Sequence, residues 1–266
     1  HVLHRIMPVA ALAGMGLSLL HQSSLGATYG VLTARPVWFS PSAPVLFILS
    51  AISGGIGLTI TVTMITGRVM RQRLVPPDVL DGVARFAGFV ALAYLYLKLW
   101  SWAATNYYSH SPAVAHDLER LGEHTPYGFT FWWFEILLGA LVPAILFLWR
   151  RARRNRYALV VAGALSVLGV VVYRWNMTLA GFVVPLDWTP GTANLPVNTY
   201  EPALIEWLVA AGIVAYSWLF WSLGARFLNL YPQAKSWDEL GTDDELAESA
   251  SESPASGEVS APSPAR

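Results

Sequence analysis

The sequence predicts an all-α fold: a polytopic membrane helix bundle of about six transmembrane helices, followed by a disordered C-terminal tail. Of its 266 residues, 55% are hydrophobic and only 13% are charged, whereas about a quarter of the residues in a typical soluble domain are charged. The chain also contains 12 Trp and 11 Tyr, which concentrate where transmembrane segments meet the lipid headgroups. This composition excludes an ordinary soluble domain.

Six stretches are long and apolar enough to cross a bilayer, which takes about 20 mostly apolar residues per helix. They lie at about 6–30, 43–67, 83–105, 128–149, 157–182 and 203–230. We therefore assign residues 1–232 to one transmembrane bundle. The remaining residues, 233–266, have a different character: 238–266 carry 8 of the 17 acidic residues, together with Ser, Ala and Pro. That composition predicts a disordered acidic tail, because it leaves almost nothing to bury.

The distribution of arginine predicts the orientation of the bundle. Nine arginines lie in or beside the second and fourth connections: Arg68, Arg71, Arg73, Arg85, Arg150, Arg151, Arg153, Arg154 and Arg156. The loops near 31–42, 106–127 and 183–202 contain only Arg35 and Arg120. Because basic loops stay on the cytoplasmic side, these three loops are predicted to face outward. Both termini are then cytoplasmic, in an inner (cytoplasmic) membrane.

Cysteine is absent from the chain. It therefore cannot ligate an iron–sulfur cluster through its own thiolates, nor form a disulfide. Three histidines, His110, His116 and His124, share one outward loop. Their spacing matches no recognised metal site, and solvation explains them better, so no metal is predicted.

The stretch LHQSSLG, residues 20–26, ends the first span with polar side chains. His21 and Ser24 are three residues apart and so lie on one helix face, where imidazole and hydroxyl can share a pocket. Gln22 lies between them. Spacing alone fits a packing histidine at the interface equally well. No second intramembrane histidine is available to pair with His21, so no haem is expected.

Four ionisable residues lie in or beside the later spans: Lys98, Glu135, Arg174 and Glu206. A charge within the membrane costs a few kcal/mol or more, so each is a functional candidate by default. Lys98 and Glu135 are at comparable depth, which predicts an ion pair, although Lys98 can also snorkel outward. Arg174 needs a partner, and Glu206 is one candidate. Such charges suit a proton-coupled or headgroup site, and equally a plain helix-pairing role.

Glycines in two spans predict places where helices approach closely. They are Gly14 and Gly16 in the first span, and Gly54, Gly55 and Gly57 in the second.

Several stretches in a fixed order carry a family resemblance: LHQSSLGATYG, RPVWFSP, PVLFILSAISGGIG, FWWFEILLGALVP, and YRWNMTLAG with YEPALIEW. In this order they resemble the HybB/NrfD (polysulfide reductase-like) family of multi-span membrane subunits. The closest resemblance is to the HybB-type cytochrome b subunit of Ni/Fe-hydrogenase. It covers all six predicted spans.

The resemblance implies a non-catalytic subunit of an oxidoreductase complex. Such a subunit passes electrons between membrane quinone (menaquinone or ubiquinone) and an iron–sulfur partner, which serves a hydrogenase-like catalytic subunit. The expected partners are thus those two subunits and the lipid bilayer, with no nucleic acid. A quinone needs hydrogen-bond donors at its carbonyl groups and a route for protons. The candidate residues for this role are His21, Gln22, Ser24, Lys98, Glu135, Arg174 and Glu206.

HybB-type subunits resemble ten-span proteins, and the six spans here resemble only their C-terminal part. In relatives with a quinone pocket, an earlier four-helix bundle supplies much of that pocket. We therefore expect either a chain truncated upstream or a companion that supplies the rest.

Two other functions fit the same residues. A proton-coupled transporter module would use the four intramembrane charges without redox chemistry. A purely structural membrane anchor would use them only to hold helices together.

Overall fold

The computed structural model describes residues 2–33, 35, 38–107, 126–183, 200–228 and 235–236. Most of the predicted acidic tail and the three histidines His110, His116 and His124 lie outside these ranges. Predictions about them therefore remain predictions.

Six helices in the described ranges are long and apolar enough to cross a membrane, which confirms the predicted six spans. Five spans are continuous α-helices: α1 (Val2–Gly30), α2 (Ala43–Met70), α3 (Pro77–Tyr107), α7 (Arg156–Val183) and α8 (Leu204–Phe227). The third span begins earlier than the hydropathy indicates. Its first turns carry Asp78 and Asp81, which interrupt the apolar pattern without interrupting the helix.

The fourth span is a composite helix. It consists of α4 (Tyr127–Phe129), a π-helix (Thr130–Leu141) and α5 (Val142–Leu148). In a π-helix each amide donates to the carbonyl five residues earlier, as Val142 does to Leu137. π-Helices are rare, usually occupy a single turn, and often occur at functional sites. The apolar run FWWFEILLGAL does not indicate a π-helix, because hydropathy does not distinguish the α-helical period from the π-helical period.

The remaining elements are short. Helix α6 (Arg150–Arg154) links the fourth and fifth spans. Strands β1 (Gln72–Arg73) and β2 (Lys235–Ser236) pair antiparallel, with Gln72 opposite Ser236.

Helix α2 lies at the centre of the bundle, where it contacts α1, α3 and α7. Helix α7 packs against α2 and against the π-helix. Two hydrophobic clusters form the core: Ile60, Ala84, Ala87, Phe147, Leu159 and Ala162 make one, and Leu46, Phe47, Tyr94, Ala140 and Tyr173 make the other. Helices α1 and α8 lie on the outside, with apolar surfaces left for lipid or a partner.

Helix α8 is held to the bundle by few contacts. Among these, the Trp221 indole Nε1 donates a hydrogen bond of 3.1 Å to the Thr66 hydroxyl of α2.

Glycine pairs bring three helices into close contact. A Cβ at Gly57 would lie 2.9 Å from the Gly163 carbonyl oxygen of α7, and one at Gly54 would lie 2.6 Å from a Val170 methyl. Gly139 of the π-helix lies directly against the Gly169 backbone. The prediction of close approach is thus confirmed for Gly54 and Gly57.

The same prediction is wrong, within this chain, for Gly14, Gly16 and Gly55. A Cβ at any of these positions would have no neighbour within 4 Å in the described structure. Gly14 and Gly16 lie on the outer helix α1, where no other described helix of the chain covers them. Gly55 lies on a face of α2 that points away from α7.

The two ends of the bundle differ in charge. The end where α2 turns into α3 and where α6 lies carries most of the arginines, and we call it the basic end. At the other end α1 turns into α2, and Trp38 from that connection fills the space beside Gly181 of α7. The Trp38 indole also donates a hydrogen bond of 2.6 Å to the Met177 carbonyl. We call this the aromatic end.

Candidate functional site

A buried ion pair lies towards the aromatic end of the bundle. The Lys98 Nζ of α3 is 2.7 Å from the Glu135 Oε1 of the π-helix, with the two side chains 13% and 0% exposed. The predicted pairing of Lys98 with Glu135 is therefore confirmed. Lys98 is held inside the bundle by this pair and does not extend to the surface.

Two neutral side chains donate hydrogen bonds to Glu135, and a third supports one of these donors. The Tyr94 hydroxyl donates to Oε1 over 3.0 Å, and the Asn176 amide donates to Oε2 over 3.0 Å. The Thr130 hydroxyl in turn donates to the Asn176 carbonyl oxygen over 2.9 Å. A buried carboxylate needs such partners, because each unmet lone pair costs free energy.

Aromatic rings surround the ammonium group of Lys98. Its Nζ lies 4.3 Å from the ring centroid of Tyr173 and 5.4 Å from that of Phe131. Cation–π contacts of this kind stabilise a cation away from water. The amine is thus held in place by one carboxylate and two rings.

Arg174 is held by groups from the first two spans. Its Nη2 donates hydrogen bonds to the Gln22 side-chain oxygen at 3.0 Å, the Phe47 carbonyl at 3.1 Å and the Ser50 hydroxyl at 3.2 Å. Its guanidinium also stacks 3.5 Å from the Phe47 ring centroid. No acidic side chain of the described residues pairs with it.

The suggested pairing of Arg174 with Glu206 is wrong. Glu206 is exposed at the start of α8, where it accepts hydrogen bonds of 2.9 Å each from the Tyr200 hydroxyl and the Ala203 amide. It therefore caps the N-terminus of that helix. The bond to Glu206 also raises the pKa of Tyr200, because ionising the hydroxyl would remove the donated proton.

One tyrosine joins the two cationic groups into a single cluster. The Tyr173 ring centroid lies 4.3 Å from the Lys98 Nζ and 5.5 Å from the Arg174 Cζ. We call the set Lys98, Glu135, Arg174 and Tyr173 the charged cluster. Its formal charge is one positive unit, because two cations face one carboxylate.

Of the three candidate residues in the first span, only one reaches the charged cluster. Gln22 reaches the charged cluster through Arg174, whereas His21 and Ser24 lie on the exposed face of α1. The two do share a face, as their spacing predicts. That they share a pocket stays a prediction.

A small cavity lies beside Tyr94 and Ser50, which are hydrogen bonded to Glu135 and Arg174 of the charged cluster. Its volume is about 10 Å³, room for a single water molecule. Tyr94, Ser50, Ser53 and Ser166 contribute hydroxyl groups to its wall. Ser53 and Ser166 are hydrogen bonded to each other at 3.0 Å.

Several contributors to this site were not predicted as site residues. Tyr94 precedes Lys98 by one helical turn, a spacing that could have indicated it. Asn176 lies two residues after Arg174 but was not among the predicted site residues. The contact of Arg174 with Ser50 and the Phe47 carbonyl depends on how α7 packs on α2, and no pattern in the sequence shows that.

The fold and this site together define a class: a polytopic integral membrane protein with a buried charged cluster near one end of its helix bundle. The sequence model of the polysulphide reductase NrfD family matches residues 2–185. The chain belongs to the NrfD family.

Three relatives are named as subunits of oxidoreductases. The menaquinone reductase integral membrane subunit of Nitratidesulfovibrio vulgaris is 30% identical, over 88% of this chain and 56% of its own length. The Hdr-like menaquinol oxidoreductase integral membrane subunit of Archaeoglobus fulgidus is 26% identical, over 85% and 58%. A selenate reductase subunit of Mesobacillus selenatarsenatis is 23% identical, over 87% and 54%.

The chain spans little more than half the length of these curated relatives. None of the three is named as a hydrogenase subunit. The likeness therefore supports the NrfD family as a whole rather than its HybB-type members.

Proposed function

We propose that this chain is the integral membrane subunit of a respiratory quinone oxidoreductase, which it anchors in the bilayer. In this role it passes electrons between an iron–sulfur partner subunit and membrane quinone. The charged cluster is the observation that carries the proposal, because a buried excess of positive charge is costly and is therefore expected to have a function. The relatives named for menaquinone or menaquinol make menaquinone the first candidate.

The charge of the cluster suits quinone reduction. A quinone takes up two electrons and two protons, and negative charge develops on its oxygens as the electrons arrive. Arg174 and Lys98 supply positive charge that favours this change. Glu135, held between Lys98, Tyr94 and Asn176, is the group in the cluster best suited to hold and release a proton.

The described residues provide a polar wall for a quinone rather than a complete pocket. The cavity beside Tyr94 is far too small for a quinone ring. The exposed face of α1 offers His21 and Ser24, with Gln22 and Arg174 behind them. We place the quinone headgroup against this face, and a companion protein supplies the opposite wall.

The catalytic partner belongs to the same proposal. An iron–sulfur subunit is needed because this chain has no cysteine to ligate a cluster. A hydrogenase-like catalytic subunit remains one candidate for the enzyme it serves. The names of the relatives point equally to other oxidoreductases.

The proposal is tested by quinol-linked electron transfer in the purified complex. Glu135→Gln and Arg174→Gln are each expected to lower the rate at least about tenfold, because each removes a charge from the cluster. Glu201→Gln is the matched control, since Glu201 is exposed and outside the cluster. Unchanged rates in both cluster variants would favour the structural anchor.

Optical spectroscopy tests the expectation that the complex contains an iron–sulfur partner and no haem. A reduced-minus-oxidised spectrum of the complex is expected to show broad bleaching from the iron–sulfur partner and no sharp b-type band. A sharp band would indicate haem, with His21 as a candidate ligand.

Proton conduction is the second candidate function. The hydroxyls of Ser50, Ser53 and Ser166 around the small cavity extend the hydrogen-bonding groups from Glu135 and Tyr94 into the bundle. In proteoliposomes, Ser53→Ala with Ser166→Ala is expected to slow proton movement and leave electron transfer unchanged. Ser217→Ala is the control, because that hydroxyl bonds within α8, away from the cavity.

A further inference from the structure

A second cavity lies at the basic end, away from the charged cluster. Its volume is about 1410 Å³, larger than the roughly 300–1,000 Å³ of most small-molecule pockets. It lies between the C-terminal end of α2 and the N-terminal starts of α3 and α7. The quinone proposal does not use it.

The wall of this cavity is strongly basic. Seven arginines line it, against two aspartates: Arg68, Arg73, Arg85, Arg150, Arg153, Arg154 and Arg156 face Asp78 and Asp81. Arginines therefore outnumber aspartates by five among the lining residues. Such an excess attracts an anion with several negative or strongly accepting oxygens.

Part of this charge is neutralised within the described residues. Asp81 binds the Arg153 Nε at 2.6 Å and the Arg85 Nη2 at 2.8 Å. Arg153 also donates to the carbonyls of Phe147 at 3.0 Å and Leu148 at 2.5 Å, which fixes it as a structural group. Its role is to hold the wall.

Three exposed arginines remain for a ligand. Arg68, Arg150 and Arg154 line the cavity, and none of them has an acidic partner in the described ranges. They extend from the end of α2 and from α6, so they reach the cavity from two sides.

Apolar side chains form another part of the same wall. They include Met64, Ile65 and Val69 of α2 and Val160 and Val161 of α7. Val69 and Val161 are 76% and 50% exposed, and both lie in membrane-spanning helices. The cavity is thus lined by both arginines and apolar side chains.

We infer that this cavity binds the headgroup and upper acyl chains of an anionic phospholipid. Arginine holds a phosphodiester with paired hydrogen bonds. A free inorganic anion would make no favourable contact with the apolar wall. An acyl chain that continues into the bilayer would pack against it. Basic pockets between transmembrane helices are general sites for anionic lipid headgroups.

Native mass spectrometry of the full chain in mild detergent tests this inference. The protein is incubated with phosphatidylglycerol or, in parallel, with zwitterionic phosphatidylcholine. We expect phosphatidylglycerol to be retained and phosphatidylcholine to be lost. Equal retention of the two lipids would overturn the proposal.

A matched pair of variants locates the site. Arg68→Gln with Arg150→Gln is expected to lower phosphatidylglycerol retention at least about tenfold. Arg71→Gln with Arg151→Gln removes the same charge from the same two segments, but neither residue lines the cavity. Retention by this control is expected to match the native chain, and an equal loss in both variants would overturn the site.

Inorganic phosphate distinguishes a lipid from a free anion. If phosphate at the lipid's concentration displaces phosphatidylglycerol, the cavity is a simple anion site and the inference fails. We expect no displacement, because phosphate cannot use the apolar wall. Thermal unfolding in detergent checks that both double variants fold; should the first one not fold, the comparison of lipids on the native chain still decides.

Discussion

Glu135 and Lys98 depend on each other more than on any other neighbour. The carboxylate is fully buried and the ammonium nearly so, at a separation of 2.7 Å. Separating two buried partners leaves one charge without compensation, which costs far more than the pair contributes. Their effects on stability and on function can therefore be separated only by changing both.

The first prediction concerns this pair. Glu135→Gln is expected to lower the free energy of unfolding by about 3 kcal/mol, because it leaves Lys98 as an isolated buried cation. Lys98→Met with Glu135→Gln is expected to recover most of that stability, since neither charge of the pair then remains. Thermal unfolding in detergent measures both.

Electron transfer should respond differently to the same two variants. We expect the double variant to stay slow although it is stable, because the proton-holding carboxylate is absent. Restored electron transfer in the double variant would show that the pair is structural only.

Tyr200 provides a test outside the membrane-spanning segments. Its hydrogen bond to Glu206 raises its pKa above the usual value of 10.0. A raised pKa in the folded state means that this bond stabilises the fold at lower pH and is lost as the pH rises through that pKa. The sensitive range is therefore alkaline.

The expected measurement is the ultraviolet absorbance of tyrosinate during alkaline titration. Glu206→Gln should shift one tyrosine of the native titration to lower pH, and Tyr200→Phe should remove that same component. Identical titrations for the native chain and Glu206→Gln would contradict the hydrogen bond.

Among the helices, the π-helix has the clearest consequence for the site. It places Glu135 beside Lys98 of α3 and, further along the same segment, Gly139 against Gly169 of α7. An α-helix turns about 100° per residue, so the wider π turn changes the angle between these two residues. Both contacts depend on that angle.

Deleting Leu138 is expected to return the segment to α-helical bonding. The deletion moves either Glu135 or Gly139 off its partner, so we expect lower stability and slow electron transfer. The control is Leu138→Ala, which shortens a partly buried side chain and keeps the register. A deletion that is no more harmful than the substitution would show that the π geometry is dispensable.

The contact between the π-helix and α7 gives a further prediction. Gly139→Ala places a methyl group against the Gly169 backbone, and we expect a loss of about 1–3 kcal/mol in unfolding free energy. Gly55→Ala is the matched control, because a Cβ there meets nothing within 4 Å. Thermal unfolding in detergent should separate the two variants clearly.

The sequence predicts the elements of this protein better than their contacts. Six apolar runs predict the spans because crossing a bilayer fixes a minimum length for each helix. The Lys98–Glu135 pair was predictable from shared depth. The hydrogen-bond partners of Arg174 were not predictable, because Gln22, Phe47 and Ser50 carry no charge. Two of the accepting groups are a main-chain carbonyl and a hydroxyl oxygen.

At the scale of the whole molecule, orientation is the main prediction still to be tested. The basic end carries the arginine-rich connections, so it is expected to face the cytoplasm. A reporter fused after Arg266 should then report a cytoplasmic location. A reading from the other side would invert the bundle and place the charged cluster near the cytoplasmic surface.

The contacts of Arg174 also bear on how the protein is made. A lone arginine at the centre of a helix opposes insertion by about 2.5–3.5 kcal/mol. Gln22, Phe47 and Ser50 precede Arg174 in the chain, so their helices are synthesised before α7 leaves the ribosome. When the fifth span inserts, the hydrogen-bond acceptors of Arg174 are therefore already in the bilayer. Lys98 lies in the third span and is inserted before its partner Glu135, which lies in the fourth. During synthesis we therefore expect Lys98, but not Arg174, to be in the bilayer before its partner.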